Sequence, residues 1–276
     1  MLGFALTSGL LLVLAVEPPG ATPEAGPDVP SEALATPAGS VYRLQPWTDG
    51  LLLGATTLSW ALLELEGPSW VTPHCPCAAS QVPRIDRVAL HWHSQAADVA
   101  SNVTEVIALL APVAVDFLDV GLGQAFLEDM VVYGEVLSIS GTATAAAKFA
   151  VQRPRPYVYG TASTAVLRSP ASYTSFFSGH TTVTFGALTT LAMTETLRHG
   201  PSPWPWLVVA VVGTSVAVER VLAGQHFPTD VLAGAAVGVG SGLLVPWLHR
   251  RSGPDAPSVA LRFHPGGGEL QLSGFW

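Results

Sequence analysis

Charge is scarce in this chain. Of its 276 residues only 12 % are Asp, Glu, Lys or Arg, about half the ~25 % of an ordinary soluble domain. Apolar residues make up 49 % and the mean hydropathy is +0.42. Such a balance excludes a disordered chain. It points away from an ordinary soluble domain and toward a multi-pass membrane protein or a very apolar all-helical enzyme. Basic residues are scarcer still: Lys148 is the single lysine, and the net charge is −8, which speaks against nucleic acid as a partner. Two cysteines, Cys75 and Cys77, exclude a disulfide scaffold and a four-cysteine zinc site. They are too close for an easy structural zinc pair, which leaves open a strained disulfide or two free thiols. No Lys or Arg precedes Arg43, so the apolar run 1–16 has the length of a signal peptide but lacks its charged start, and no A-x-A site closely follows it.

Residues 17–46 hold seven prolines among Gly, Ala and acids and read as a flexible linker. The span 47–252 reads as one helical domain, with apolar segments of helix length at 51–66, 103–122, 125–149, 181–197, 204–223 and 228–248. This predicts an all-α bundle of about six helices, embedded in a membrane. The last two segments are the clearest spans, since about twenty apolar residues cross a bilayer core and Trp204, Trp206 and Trp247 stand at their ends, where an aromatic belt belongs. Gly234, Gly238 and Gly242 recur every four residues, spacing that lets a neighbouring helix approach closely. Residues 83–100 suggest an amphipathic helix. In the tail, 253–276, two alternating segments flank Pro265-Gly266-Gly267-Gly268, predicting a β-hairpin.

Three short segments carry most of the chemistry. Lys148, Arg153 and Arg155 cluster at the end of one apolar helix; alone, they would read as a basic flank at lipid headgroups. Ser178-Gly179-His180 opens the next helix, where free N–H groups and the helix dipole favour an anion. Arg220, His226 and Asp230 join the final pair, with Pro228 suited to the first turn of a helix. A carboxylate four residues after a histidine can accept from one ring nitrogen and leave the other free to attack. Chain reversals bring all three segments to one end of a bundle.

In this order the segments match the tripartite signature of the type-2 phosphatidic acid phosphatase and vanadium haloperoxidase superfamily, which the chain resembles over residues 148–230. The resemblance implies that Lys148, Arg155 and Arg220 clamp a phosphate, with Ser178 and Gly179 adding hydrogen bonds. It makes His226 the nucleophile that forms a phosphohistidine, held and polarised by Asp230, and His180 the group that protonates the leaving oxygen and then activates water. Arg153 falls outside the motif positions and reads as an outer charge. Phe177 stands where the family has proline, and Glu219 where serine is common. Three fixed cations can stabilise phosphoryl transfer electrostatically, so no cofactor and no metal are expected. The expected substrate is a lipid phosphate or pyrophosphate such as phosphatidic acid, phosphatidylglycerophosphate or an undecaprenyl diphosphate. The alternatives are a soluble periplasmic acid phosphatase, a vanadate-dependent haloperoxidase and a non-catalytic membrane protein.

Arg198, Arg250 and Arg251 lie at the opposite helix ends, which the positive-inside rule makes cytoplasmic, so the site should face the periplasm or exterior. A cleaved leader would reverse this if 51–66 also crossed; its short length and Glu64 and Glu66 favour a segment that does not span. A wholly secreted helical enzyme is the remaining option. His91 and His93 do not share a helical face and make a poor metal pair. Asn102-Val103-Thr104 fits a glycosylation sequon, at a helix start where it carries little weight.

Overall fold

The computed structural model describes residues 39–75, 77–159, 162–251, 258–264 and 267–273. The signal-like run and most of the proline-rich stretch lie outside them. Six long helices and one short one make up the domain: α1 (Pro46–Trp70), α2 (Gln95–Val120), α3 (Gln124–Val151), α4 (Thr164–Arg168), α5 (Gly179–His199), α6 (Pro203–Leu222) and α7 (Pro228–His249). Two strands, β1 (Ser258–His264) and β2 (Gly267–Ser273), pair antiparallel with Val259 opposite Leu272.

The boundaries follow from local chemistry. Pro46, Pro203 and Pro228 begin their helices, where a missing N–H costs nothing. Ser94 and Ser178 cap α2 and α5 through their hydroxyls. Gly121 and Gly200 end α2 and α5 at positive φ.

Helix α5 is the hub, buried at nearly every position from Thr181 to Thr190 and packed against α2, α3, α6 and α7. Its closest neighbour is α7. A Cβ on Gly238 would lie 2.3 Å from the carbonyl oxygen of Thr182, and one on Gly234 2.7 Å from that of Ser178. The four-residue glycine repeat is therefore the seam that lets the two helices touch. Away from this core, α6 and α7 are long and apolar enough to cross a membrane. Leu118 and Trp204 are among many large apolar side chains left exposed around the bundle, a surface suited to lipid.

Three expectations are corrected. Residues 40–45, grouped by composition with the linker, pack onto the bundle: Tyr42 is fully buried and bridges Arg250, because its ring fills a gap beside Val132, Val136 and Val245. The apolar segment at 51–66 belongs to a 25-residue helix, about 37 Å long, that runs the length of the bundle. Its first turn places Asp49 beside His249, and the carbonyl of Trp70 at its far end accepts from Gln152 at 3.0 Å. Among the described residues only α6 and α7, not α1, are both long and apolar enough to cross a membrane, and the start of α1 and the end of α7 share one end of the domain. Finally, 83–100 is not one helix. A short 3₁₀ turn at Arg87–His91 gives way to extended chain before Ser94 caps α2. Asp86 is buried there as a hydrogen-bond acceptor for Thr229 and Arg153.

Candidate active site

The three polar segments meet at the end of the bundle formed by the C-termini of α3 and α6 and the N-termini of α2, α5 and α7. His226, in the link between α6 and α7, is 2 % exposed. Its Nδ1 lies 2.7 Å from the backbone carbonyl of Ser175. A carbonyl can only accept, so Nδ1 carries the hydrogen and Nε2 keeps its lone pair. Burial, reinforced by Arg155, Arg220 and Lys148, pushes the imidazole well below its ordinary proton affinity. The ring is thereby held neutral, and the three cations of the sequence motif are charges that act on it.

Asp230 does not hold the ring directly. Its Oδ2 is 3.9 Å from Nδ1 of His226, beyond a hydrogen bond. Because α7 begins at Pro228, Asp230 sits in its first turn and turns back to accept from the N–H of Phe227 at 2.9 Å, as a carboxylate at a helix start does. It also accepts from the Ser175 hydroxyl at 2.5 Å and from the Arg153 guanidinium. Ser175 thus joins the two residues, hydroxyl to Asp230 and carbonyl to His226. Arg153, read from the sequence as an outer charge, is a strut: it also donates to Asp86 at 2.7 Å and to Thr229 at 2.8 Å, and its guanidinium lies over the Phe227 ring at 4.1 Å.

The other motif residues are each anchored. Arg155 donates to the carbonyl of Ala171 at 2.9 Å and to Gln225 at 2.6 Å. Arg220 donates to Asp98 at 2.7 Å and Ser101 at 3.1 Å; its acidic partner is on α2, not the adjacent Glu219. Lys148, Gly179 and His180 line a cavity of about 160 Å³. Ser178 spends its hydroxyl on capping the N–H of Thr181 and its own N–H on the carbonyl of Asp230 at 3.1 Å, so the backbone of Gly179 and His180 supplies the next N–H groups of α5. Phe177, in the place of a proline, is buried against Phe176.

His180 points its Nε2 at Asn102 Oδ1 (2.8 Å) and at Glu105 Oε2 (3.1 Å). A carboxylate facing Nε2 fixes a hydrogen on that nitrogen. Asn102 and Glu105 therefore belong to the site, as does Asp98, although the sequence reading singled out none of them for it. The signal was present: Asp98, Ser101, Asn102 and Glu105 recur at i, i+3, i+4 and i+7, a polar stripe along one face of an otherwise apolar helix. Beyond the site's edge Cys75 and Cys77 form a disulfide, with the N–H of Cys75 at 3.3 Å from the Tyr173 hydroxyl.

Residues 129–254 match the PAP2 superfamily. A Bacillus licheniformis protein named bacitracin transport permease protein BcrC is 40 % identical over 73 residues, 26 % of this chain and 32 % of that protein. A lipid A 1-phosphatase of Rhizobium etli is 30 % identical over 129 residues, 43 % of this chain and 52 % of that protein. The chain thus spans about a third of the first relative's length and half of the second's. Among solved structures, a transmembrane PAP2-type phosphatidylglycerolphosphate phosphatase from Bacillus subtilis aligns with a TM-score of 0.43 at 17 % identity, over 74 % of this chain and 94 % of that one.

Proposed function

Because the chain belongs to the type-2 phosphatidic acid phosphatase superfamily, we propose that it is a membrane-embedded phosphatase that hydrolyses a lipid phosphate or pyrophosphate. The observation that carries the reading is His226: buried, neutral, its Nδ1 hydrogen committed to Ser175, its Nε2 unprotonated, and under the electrostatic influence of Arg155, Arg220 and Lys148. A neutral imidazole nitrogen acted on by three cations is suited to attack an electrophile that arrives with its own negative charge.

In this mechanism the three cations, with the N–H groups at the start of α5, hold the phosphoryl oxygens. Nε2 of His226 attacks phosphorus and the bond to the leaving oxygen breaks. The positive charge that develops on the ring is spread through Nδ1–H to the Ser175 carbonyl. Without substrate, burial and the cations led by Arg220 push His180 down to about 3. The negative charge of the incoming phosphate offsets those cations, so the ring takes up a second proton. Glu105 stabilises the resulting imidazolium, which protonates the leaving alkoxide. A water then enters, His180 takes its proton, and the hydroxide displaces His226 from phosphorus to release phosphate. Asp230 acts at one remove, setting Ser175 through its hydroxyl.

The apolar girdle favours a lipid-borne substrate over a small soluble ester, because the mouth of the site opens at the end of helices whose outer faces suit a bilayer. An outward-facing site is supported by the disulfide at its rim, a bond that persists in oxidising compartments, and by Arg43, Arg250 and Arg251 at the other end. Phosphate release from phosphatidic acid and from lipid A in detergent tests the reading. Release by the wild type that is lost in His226→Ala, and that Mg²⁺ added after chelation does not raise, is expected. Equal release by His226→Ala would overturn it.

A further inference from the structure

Far from the phosphate site, three residues from three helices converge at the other end of the bundle. Asp49 lies in the first turn of α1, Glu135 midway along α3, and His249 at the end of α7. Each offers one ligand-type atom, and the three atoms lie within 4.8 Å of one another. His249 lies 19 positions beyond Asp230 along α7, about 28 Å of helix, so this group is separate from the chemistry described above.

The hydrogens of the group do not account for its packing. His249 Nδ1 lies 2.8 Å from the carbonyl of Val245, so it carries the hydrogen and Nε2 presents a lone pair. That lone pair faces Glu135 Oε2 at 3.3 Å and Asp49 Oδ1 at 3.5 Å. Asp49 Oδ1 also has the Thr48 hydroxyl at 3.2 Å, whose single hydrogen the Gln45 carbonyl competes for at 3.0 Å; no other side-chain donor reaches these three atoms among the described residues. Glu135 is fully buried and neither of its carboxylate oxygens has a hydrogen-bond partner. His249 and Asp49 are charged groups that act on it. A proton shared between His249 and a carboxylate is the competing arrangement, and the contacts at 3.3 and 3.5 Å are longer than the ~2.7–2.9 Å typical of such charge-assisted bonds.

The observed spacing suits a metal ion instead. With ligand bonds of about 2.0–2.1 Å, a tetrahedral zinc sets its ligand atoms about 3.3–3.4 Å apart. An imidazole nitrogen with its other nitrogen donated to a backbone carbonyl is the usual form of a zinc-binding histidine. We propose that Asp49, Glu135 and His249 form a zinc site that ties α1, α3 and α7 together at the end of the bundle opposite the phosphate site. Three protein ligands leave a fourth position for water. Its role is to hold α1, which packs mainly on α3, in place against α7.

The test uses the full chain in detergent micelles, stripped with chelator, reloaded with ZnCl₂ and desalted, with zinc per chain measured by mass spectrometry. Wild type should retain one equivalent, and Glu135→Gln and His249→Gln none. Because Glu135 lies in the core, Asp49→Asn at the start of α1 serves as a second carboxylate variant and should bind at least tenfold more weakly. His199→Gln, in the more exposed Asp119–Glu195–His199 group, should retain the metal. Zinc should raise the thermal midpoint of the wild type and not that of Glu135→Gln or His249→Gln. Equal zinc content in wild type, Glu135→Gln and Asp49→Asn, or a wild-type midpoint unmoved by zinc, would overturn the proposal. None of these readouts depends on turnover, so they stand apart from the phosphatase reading.

Discussion

Replacing Arg153 by alanine should damage this protein more than its place outside the motif suggests. The guanidinium donates to two carboxylates, Asp86 and Asp230, both fully buried. Removing one partner of a buried ion pair costs about 3–5 kcal/mol, because the other charge is left uncompensated. Here each carboxylate keeps other donors: Asp86 has the N–H and hydroxyl of Thr229, and Asp230 has Ser175 and the N–H of Phe227. The Arg153 side chain is also 19 % exposed, so water can partly replace it. The cost should fall at the lower end, about 3 kcal/mol. For a domain of this size that lowers the melting midpoint by about 6–12 °C, read by helical circular dichroism in detergent micelles. Arg153→Lys should recover only part of the loss, since a single ammonium cannot reproduce a planar fork between two carboxylates. An Arg153→Ala midpoint within about 1 °C of wild type would refute the reasoning.

Three further outcomes follow from the geometry. Burial and the surrounding cations lower the proton affinity of His226, so its ring should stay neutral as pH falls through 6.5. In ¹⁵N-histidine spectra its resonances should remain those of the neutral ring at about pH 6, and a His226 midpoint near 6.5 contradicts this. Glu105→Gln should weaken proton donation by His180 and slow turnover about tenfold for a lipid alkoxide leaving group, yet leave p-nitrophenyl phosphate, which needs no acid, within twofold; equal losses on both would remove Glu105 from that role. Gly238→Ala should cost about 1–3 kcal/mol, because its Cβ would meet the Thr182 carbonyl at 2.3 Å. Gly240→Ala, with nothing within 4 Å, should be close to neutral in the same thermal unfolding assay.

Much of the site was legible because its parts are local. Ser178 capping α5, Pro228 starting α7 and the basic end of α3 each announce themselves within a few residues, and their order along the chain fixes which ends of the helices meet. What the sequence hid depends on which of several partners a group chooses. The i, i+4 spacing of His226 and Asp230 predicts a direct hydrogen bond, but the first turn of α7 and Ser175 compete for the same carboxylate and win. Arg153 became a strut only because Asp86, 67 residues away, is delivered by a 3₁₀ turn that an apolar periodicity resembles. Helix α1 is longer than its apolar run because Pro46 starts it and residues such as Asp49 and Trp70 carry it beyond 51–66 at both ends, where hydropathy carries no helical signal. The Asp49–Glu135–His249 group could not be read from spacing at all, since its members come from three helices distant in sequence.

The central claim is that His226 becomes phosphorylated during turnover. The most direct measurement is a rapid acid-free quench of the full chain with ³²P-labelled phosphatidic acid, followed by peptide mapping of any alkali-stable, acid-labile label. The account predicts label on His226 in the wild type, accumulation of that label in His180→Ala when the substrate is a phosphate ester with a good leaving group, and no label in His226→Ala. Turnover by the wild type with label on another residue, or continued turnover in His226→Ala, would contradict it.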